Sequence, residues 1–493
     1  MASSKPSRHK EVERKFDVTD STVSPSFDGL STVARVEMSP AESLDAVYFD
    51  TEGQDLARNR ITLRRRTGGA DQGWHLKLPA GADTRTEVRL PLGADDEVAK
   101  NQVPADLLDV VLAIVRDRPL APVARISTTR YIQLLYGTDG TPLAEFCDDQ
   151  VTASATGGDE LTWREWELEL LGPAADPGLL DRLGNRLFDA GAAPAGSGSK
   201  LARVLAGGTT PEKKKPVVSE DPVHRAVAEQ VDEMIEWDRA VRADVWDSVH
   251  QMRVTTRKLR SLLKESEESF GLNDDSWVLD ELRALAAILG VARDAEVLAE
   301  RYEKALDELP DELVRGPVRE RLVDGAKKRY AVAHRRSLVA MRTPRYFRLL
   351  DALEALVAAE PATAGAEAAP VTVDAAYKRV RKAAKAAHEA TEDRDEALHR
   401  IRKGAKRLRY TASALGADKV SGAAKEIQTL LGDHQDSYVS RAHLSQQAEA
   451  AHAGGEDTFT YGLLYQQEHE LADRARAQVE DALAKLAKSV RKL

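Results

Sequence analysis

Short segments in which charged and apolar residues alternate recur through the first 205 residues of this 493-residue chain. In the first of them, HKEVERKF, Glu11, Glu13 and Lys15 fall on one face and the residues between them fall on the other. A period of two is that of a β-strand. Eight such segments, several separated by short Gly, Pro or Asp turns, predict an antiparallel β-domain, which two helical segments, 106–115 and 178–190, interrupt.

The charges in this region are sorted by strand. The first and last candidate strands are acidic, whereas the middle strands carry rows of Arg, Lys and His. The charged positions after the first strand are Arg64 and Arg66, His75 and Lys77, Arg85, Glu87 and Arg89, then Arg130, Glu145 and Asp149, and finally Glu165, Glu167 and Glu169. Sheet closure would bring the two acidic strands together, forming an oxygen-ligand cluster suited to Mg²⁺ or Mn²⁺. Guanidinium groups opposite would bind phosphate, so the pattern favours a polar cavity over a solvated face.

Residues 8–205 resemble a CYTH domain, a triphosphate tunnel metalloenzyme. The family motif Glu-x-Glu-x-Lys is met by Glu11, Glu13 and Lys15, and the later segments YFDT, LRRR, WELEL and SKLAR are also similar. The resemblance implies an eight-stranded antiparallel β-barrel whose tunnel binds a linear triphosphate and a divalent metal.

The resemblance also implies roles for individual residues. The metal ligands would be Glu11, Glu13, Asp149, Glu165, Glu167 and Glu169. The triphosphate contacts would be Lys15, Arg64, Arg66, Lys77, Arg85, Arg89, Arg130 and Lys200. Catalysis would fall to Glu11, Glu13, Lys15 and Lys77, with Mg²⁺ or Mn²⁺ as the cofactor. The family includes class IV adenylate cyclases, thiamine triphosphatases and inorganic triphosphatases, which the sequence separates poorly.

The second half of the chain has a different organisation. Residues 206–222 have the composition of a linker, and an all-α domain follows at 223–493. An Ala- and Pro-rich break at 360–370 divides this domain into halves of similar length, 223–359 and 371–493.

These halves repeat each other. VHQMRVTTRKLRSLL, which begins at Val249, matches LHRIRKGAKRLRYTA, which begins at Leu398, and LGVARDAEVL, from Leu289, matches LGDHQDSYV, from Leu431. The repeat predicts two pseudo-symmetric four-helix bundles. The fold class is therefore multi-domain α+β, with a β-barrel tunnel followed by the two bundles.

Each repeat carries a basic stripe at helical spacing, beginning at His250 in the first copy and at His399 in the second. A groove of Arg, Lys and His without aromatic platforms suits a phosphate polymer better than bases. This half resembles a CHAD domain, which implies inorganic polyphosphate binding in a basic channel. The predicted polyphosphate-binding residues are His250, Arg253, Arg257, Lys258, Arg260, Lys264, Arg293, His399, Arg402, Lys403, Lys406, Arg407 and Arg409.

Composition limits the remaining possibilities. The net charge of −10 disfavours a general coat for nucleic acid. The single cysteine, Cys147, excludes intrachain disulfides and suits a reducing compartment. There is no apolar run of the roughly 20 residues that a membrane span needs, and no apolar signal segment at the N-terminus. We therefore expect a cytoplasmic protein without a membrane partner.

The sequence predicts a metal-dependent inorganic triphosphatase whose helical half recruits polyphosphate. One alternative is a non-catalytic polyphosphate-binding or scaffold protein. A further alternative is an adenylate cyclase or a thiamine triphosphatase.

Overall fold

The computed structural model describes residues 6–92, 102–172, 177–206, 221–272, 276–359, 372–389 and 394–493. The chain divides into two units, Met1–Lys213 and Lys214–Leu493. Most of the predicted linker and all of the predicted break at 360–370 lie outside the described residues.

The first unit is built on an antiparallel sheet that closes on itself. Its strands are β1 (Ser7–Val18), β2 (Arg35–Met38), β3 (Glu42–Asp50), β4 (Thr62–Thr67), β5 (Gly73–Pro79), β6 (Thr84–Leu90), β7 (Ala121–Tyr136), β8 (Pro142–Ala155), β9 (Glu160–Leu170) and β10 (Ala193–Pro194). Eight of them form the ring β1-β6-β5-β4-β3-β7-β8-β9, which the β1–β9 pairing closes. The predicted eight-stranded barrel is confirmed. The short strands β2 and β10, which pair with β7 and β1, were not predicted.

Helices cover parts of the outer surface of this barrel. They are α1 (Asp55–Arg58), α2 (Ala105–Val115), α3 (Pro177–Asp189) and α4 (Lys200–Leu205). The helices α2 and α3 confirm the two predicted segments. Apolar residues of α3 pack with Phe16 and Trp166, and those of α4 pack with Ile126 and Val151. The apolar strand positions therefore face outward into these small cores, which leaves the charged positions to face the lumen.

The second unit is helical, and its two halves follow the same order. The first half contains α5 (Pro222–Arg242), α6 (Ser248–Glu265), α7 (Trp277–Asp307), α8 (Gly325–Ala340) and α9 (Pro344–Ala358). The second contains α10 (Val373–Glu389), α11 (Arg394–Ala414), α12 (Asp418–Ala453), α13 (Phe459–Ala477) and α14 (Val479–Val490). Short 3-10 segments, Glu268–Phe270 and Asp311–Leu313, and a π-helical turn, Glu320–Asp324, lie in the first half.

Packing follows the repeat. In each half, four successive helices pack against their neighbours in sequence, and the fifth helix, α9 or α14, packs back on the first and third. The two predicted bundles are confirmed, and each carries this additional helix. No helix in the described part of the chain is long and apolar enough to cross a membrane.

Candidate functional site

The barrel encloses a strongly charged cavity of about 330 Å³. Twelve of the sequence-predicted residues line it: Glu11, Glu13, Lys15, Arg64, Arg66, Lys77, Arg85, Arg89, Arg130, Glu167, Glu169 and Lys200. Asp149 and Glu165 lie beside it, in contact with Lys200. The lining also includes charged residues for which the sequence predicted no role: Glu42, Asp71, Glu87 and Glu145. The sequence does indicate that Glu87 and Glu145 face the lumen, because each is an even number of residues from predicted site residues on its strand.

Strand register places three carboxylates in one row across the barrel wall. Glu169 on β9 lies opposite Glu13 on β1 and opposite Glu145 on β8. Because directly paired residues share a face of the sheet, all three side chains project from the same side. This row, together with Glu11 two residues before Glu13, forms what we call the outer carboxylate group.

Among the described residues, cations form ion pairs with Glu11 and Glu13 of the outer carboxylate group but not with Glu145 or Glu169. Glu11 is 2.7 Å from Lys77 Nζ, and Glu13 is 3.1 Å from Lys15 Nζ. Burial opposes ionisation of Glu13, but Lys15 and Lys77 outweigh it and hold its pKa at about 2. Glu169 has no ion pair among the described residues. Burial and the Glu11 carboxylate raise the pKa of Glu169 to about 7, although Lys77 opposes this.

These oxygen donors fit a hard divalent cation. Mg²⁺ and Mn²⁺ prefer carboxylate oxygens, and a cation beside Glu169 would relieve the repulsion that raises its pKa. Glu11, Glu13, Glu145 and Glu169 therefore supply the ligand type that such a metal takes, but among the described residues the three carboxylates whose ligand atoms lie within 4.8 Å of one another are Asp149, Glu165 and Glu167.

A second acidic group lies deeper along the same strands. Ligand atoms of Asp149, Glu165 and Glu167 lie within 4.8 Å of one another. The Lys200 ammonium contacts all three, at 2.8, 2.8 and 2.7 Å respectively. Arg130 donates to both Asp149 oxygens at 2.8 and 2.7 Å. We call these three carboxylates the deep triad.

A wall of buried cations faces the carboxylates. Arg64 Nη1 donates to the Tyr48 hydroxyl at 3.2 Å, and Arg66 pairs with Asp71. Burial, followed by the neighbouring Arg64 and Arg130, lowers the pKa of Arg66 to about 9. Cations that repel one another in this way bind an anion favourably.

Two sequence features have a structural explanation outside the lumen. In YFDT, the buried Asp50 caps α1 by accepting hydrogen bonds from the backbone N–H groups of Leu56 and Ala57, each at 2.9 Å. In SKLAR, the Ser199 hydroxyl accepts from Ala202 N–H at 3.1 Å and caps α4. These caps fix the ends of the helices, and α4 carries Lys200 into the barrel.

In the helical unit, α6 and α11 are in contact, and their basic stripes face each other. Burial and then Arg257, Arg253, Arg402 and Arg409 lower the pKa of Lys406 to about 6. The repeated histidine of each half lies near the opposite helix: Lys406 lowers the pKa of His250 and Arg257 lowers that of His399, after larger effects of burial and nearer cations. The structure thus brings the two predicted stripes together.

In each half a glycine lies against an arginine of the preceding helix, Gly290 against Arg253 and Gly432 against Arg402. A methyl group on Gly290 would lie 3.3 Å from Arg253 Nε, and one on Gly432 would lie 3.4 Å from Arg402 Nη2. Arg253 Nε is buried and has no hydrogen-bond partner among the described residues. The repeated Leu-Gly dipeptide therefore provides the space in which each guanidinium lies against the next helix.

Other predicted polyphosphate-binding residues already have partners. Arg293 contacts Glu296 at 2.8 Å, Arg407 contacts Glu265 at 3.4 Å, and Lys264 contacts Glu267 at 3.3 Å. Arg260 donates to the Leu279 carbonyl at 3.3 Å. In contrast, Arg253, Arg257, Arg402 and Lys406 form no salt bridge with a described carboxylate, and we call these four residues the central cation group.

The chain is similar to known domain families and to a known protein. A CYTH domain model matches residues 9–182 and a CHAD domain model matches residues 225–445. The chain is 66% identical, over 509 aligned positions that cover 99% of it, to "Uncharacterized protein Rv2226" of Mycobacterium tuberculosis (strain ATCC 25618 / H37Rv), of which 98% is covered. This chain therefore belongs to the CYTH–CHAD family, whose CYTH members act as triphosphate-tunnel enzymes.

Two solved structures match part of the chain. PptA from Streptomyces chartreusis is 20% identical with a TM-score of 0.44, and the match covers 53% of this chain and 98% of that chain. The CHAD domain from the plant Ricinus communis is also 20% identical, with a TM-score of 0.42 and coverage of 56% and 97%.

Proposed function

We propose that the barrel is a metal-dependent triphosphatase acting on inorganic tripolyphosphate or a related linear triphosphate, and that the helical unit binds inorganic polyphosphate. The observation that carries the first part is that one lumen contains two carboxylates without an ion pair among the described residues, Glu145 and Glu169, and a wall of guanidinium groups. A metal–triphosphate complex satisfies both surfaces at once.

In this proposal, different residues of the lumen bind the metal and the phosphate chain. When bound at the outer carboxylate group, Mg²⁺ or Mn²⁺ supplies charge neutralisation and lowers the pKa of a coordinated water. Lys77 and Lys15, which pair with Glu11 and with Glu13 and Glu167, line the same cavity and would contact the phosphate chain. Arg64 and Arg66 hold the phosphate chain from the opposite wall.

The lining favours an inorganic substrate over a nucleotide or thiamine ester. Tyr48 is the one aromatic side chain in the described cavity lining, and its hydroxyl accepts from Arg64. Because Tyr48 is only 4% exposed, it offers a base little ring surface for stacking. Incubation with ATP separates this proposal from the cyclase alternative, because a cyclase would release cyclic AMP and pyrophosphate.

The test of the barrel is phosphate release from tripolyphosphate with Mg²⁺ or Mn²⁺. We expect Glu11→Ala to reduce kcat/KM by about 100-fold or more, on the order of the loss seen when a metal's ligand support is removed. Glu160→Ala is the matched control, since Glu160 is exposed on β9 and should leave turnover unchanged. Normal turnover in Glu11→Ala would contradict the proposed site.

The second part of the proposal rests on the central cation group. Four cations that lie together without salt bridges repel one another, and burial makes that repulsion stronger. A flexible chain with one negative charge per phosphate relieves it at each position. Because the contacts are electrostatic, we expect affinity to fall steeply with ionic strength.

Charge reversal tests this binding site. The variant with Arg253, Arg257, Arg402 and Lys406 all changed to Glu should lose polyphosphate binding in a titration at low salt. The control reverses four exposed cations elsewhere in the helical unit, Lys304, Arg348, Lys488 and Lys492, and changes the net charge equally. Equal loss in both variants would mean a non-specific charge effect. Binding without metal-dependent turnover in the wild type would favour the scaffold alternative.

A further inference from the structure

Lys200 occupies an unusual position for a residue expected to bind phosphate. Its ammonium lies 2.7–2.8 Å from one oxygen of each member of the deep triad. An ammonium has three N–H donors; this one donates to Glu167 at 2.7 Å and forms ion pairs with Asp149 and Glu165. Lys200 is only 8% exposed, so these carboxylates are its principal partners.

The position of Lys200 is fixed by its helix. Ser199 caps α4, and Leu201, Val204 and Leu205 are buried against the barrel wall. Arg203, on the same helix, contacts Asp17 at 2.8 Å. The helix that carries Lys200 is therefore positioned by contacts that do not involve the deep triad.

The deep triad is already neutralised. Its three carboxylates are matched by three cations, since Lys200 contacts all of them, Arg130 contacts Asp149 and Glu167, and Lys15 contacts Glu167. Trp163 Nε1 donates to the second oxygen of Glu165 at 2.6 Å. A divalent ion added here would meet carboxylates that are already paired and would have to displace one of these cations.

The outer carboxylate group is only partly paired. Glu11 and Glu13 have ion pairs, but Glu169 has none among the described residues, although it is only two residues from Glu167 on β9, roughly 7 Å along the strand. Strand β9 thus carries one carboxylate that contacts three cations, Glu167, and one without an ion pair among the described residues, Glu169.

We propose that the Lys200 ammonium is a built-in cation that takes the place of a second divalent metal in the barrel and confines the exchangeable metal to the outer carboxylate group. Lys200 is then a positioning residue that acts through Asp149, Glu165 and Glu167. The proposal rests on the proposed function in so far as the cavity binds metal, but it is measured by metal stoichiometry and needs no turnover.

The experiment counts Mn²⁺ ions bound per chain by electron paramagnetic resonance, without substrate, in the full-length protein. Lys200→Met removes the charge and keeps an apolar side chain of similar length. We expect it to bind one additional Mn²⁺ ion relative to the wild type, and the double variant Lys200→Met/Glu165→Gln to return to the wild-type number. Lys200→Arg retains a cation and should also keep the wild-type number. An unchanged count in Lys200→Met would overturn the proposal.

A variant that keeps Lys200 gives an independent measurement. Glu165→Gln alone should leave the Mn²⁺ count of the wild type unchanged, because Glu165 is bound to Lys200 and not to metal. A lower count in this variant would show that metal occupies the deep triad and would also overturn the proposal. Loss of tripolyphosphate hydrolysis with intact Mn²⁺ counts would instead contradict only the proposed function.

Discussion

Lys406 illustrates how strongly burial and neighbouring cations change the titration of a single residue here. It lies among Arg253, Arg257, Arg402 and Arg409, near His250 and over the Tyr410 ring, and burial with these cations brings its pKa to about 6. Its ordinary pKa in an unfolded chain is 10.5, so between those values the unfolded state binds more protons. The contribution of Lys406 to the free energy of unfolding therefore increases as the pH rises from about 6 to 10.5.

Polyphosphate should reverse this shift. Negative charge beside Lys406 raises its pKa, so binding at pH 8 takes up protons, and affinity falls as pH rises above about 6. Calorimetry in buffers with different ionisation enthalpies measures the uptake. Lys406→Arg stays protonated and should reduce it, whereas equal uptake in both proteins would contradict the assignment.

Arg66 gives a corresponding prediction in the barrel. It is buried, and Arg64 and Arg130 disfavour its charge, so an anion should be its best partner. We expect Arg66→Met to weaken tripolyphosphate binding on the order of 10-fold to 100-fold, the effect of one charged hydrogen bond of about 1.5–3 kcal/mol. The readout is the tripolyphosphate-induced increase in Tm.

Arg65→Met is the control for this change. Arg65 is the next residue on β4, has the opposite orientation and does not line the cavity. A smaller Tm increase in Arg65→Met than in Arg66→Met would contradict the assignment of faces on this strand.

The alternation of residues along the strands predicted which side chains face the lumen, including Glu13, Lys77 and Glu169. It could not predict their pairing. Arg130 and Lys200 were expected to contact phosphate, but they bond to Asp149 and its neighbours. The Arg130–Asp149 pair depends on the register of the β7–β8 hairpin, and Lys200 reaches these strands from a helix distant in sequence, so the alternation along one strand determines neither pair.

At the scale of elements, Gly290 and Gly432 link helix packing to binding. Alanine at position 290 favours the helix by about 1 kcal/mol, but its methyl group would lie 3.3 Å from Arg253 Nε. We expect Gly290→Ala to raise the free energy of unfolding slightly and to weaken polyphosphate binding by on the order of 10-fold, as one charged contact is displaced.

Gly422→Ala provides the matched control. Gly422 is also helical, on α12, and a methyl group there would meet nothing within 4 Å. It should stabilise the protein without changing affinity. If Gly290→Ala binds polyphosphate as tightly as Gly422→Ala, then the position of Arg253 does not set affinity.

Elements with strong periodicity were predicted well, and short ones were not. The strands β2 and β10 have four and two residues, too few to show an alternation. The helix α4 has six residues and is held by Leu201 and Leu205 in the core of the first unit. Tertiary packing, which a local pattern does not contain, determines these elements.

At the scale of the whole molecule, the two units differ in how their cations are paired. The barrel pairs its cations with carboxylates that metal can take over, whereas the central cation group of the helical unit has no salt-bridge partner among the described residues. The first arrangement suits a short substrate bound with metal, and the second suits a long anionic chain bound by charge alone.

The measurement that tests the central claim most directly is phosphate release by the wild-type chain from tripolyphosphate, ATP, thiamine triphosphate and long-chain polyphosphate, each with Mg²⁺, with Mn²⁺ and with a chelator. We predict metal-dependent release that is fastest with tripolyphosphate and absent with the chelator. No release from any triphosphate, or release that persists with the chelator, would contradict the assignment of the barrel as a metal-dependent triphosphatase.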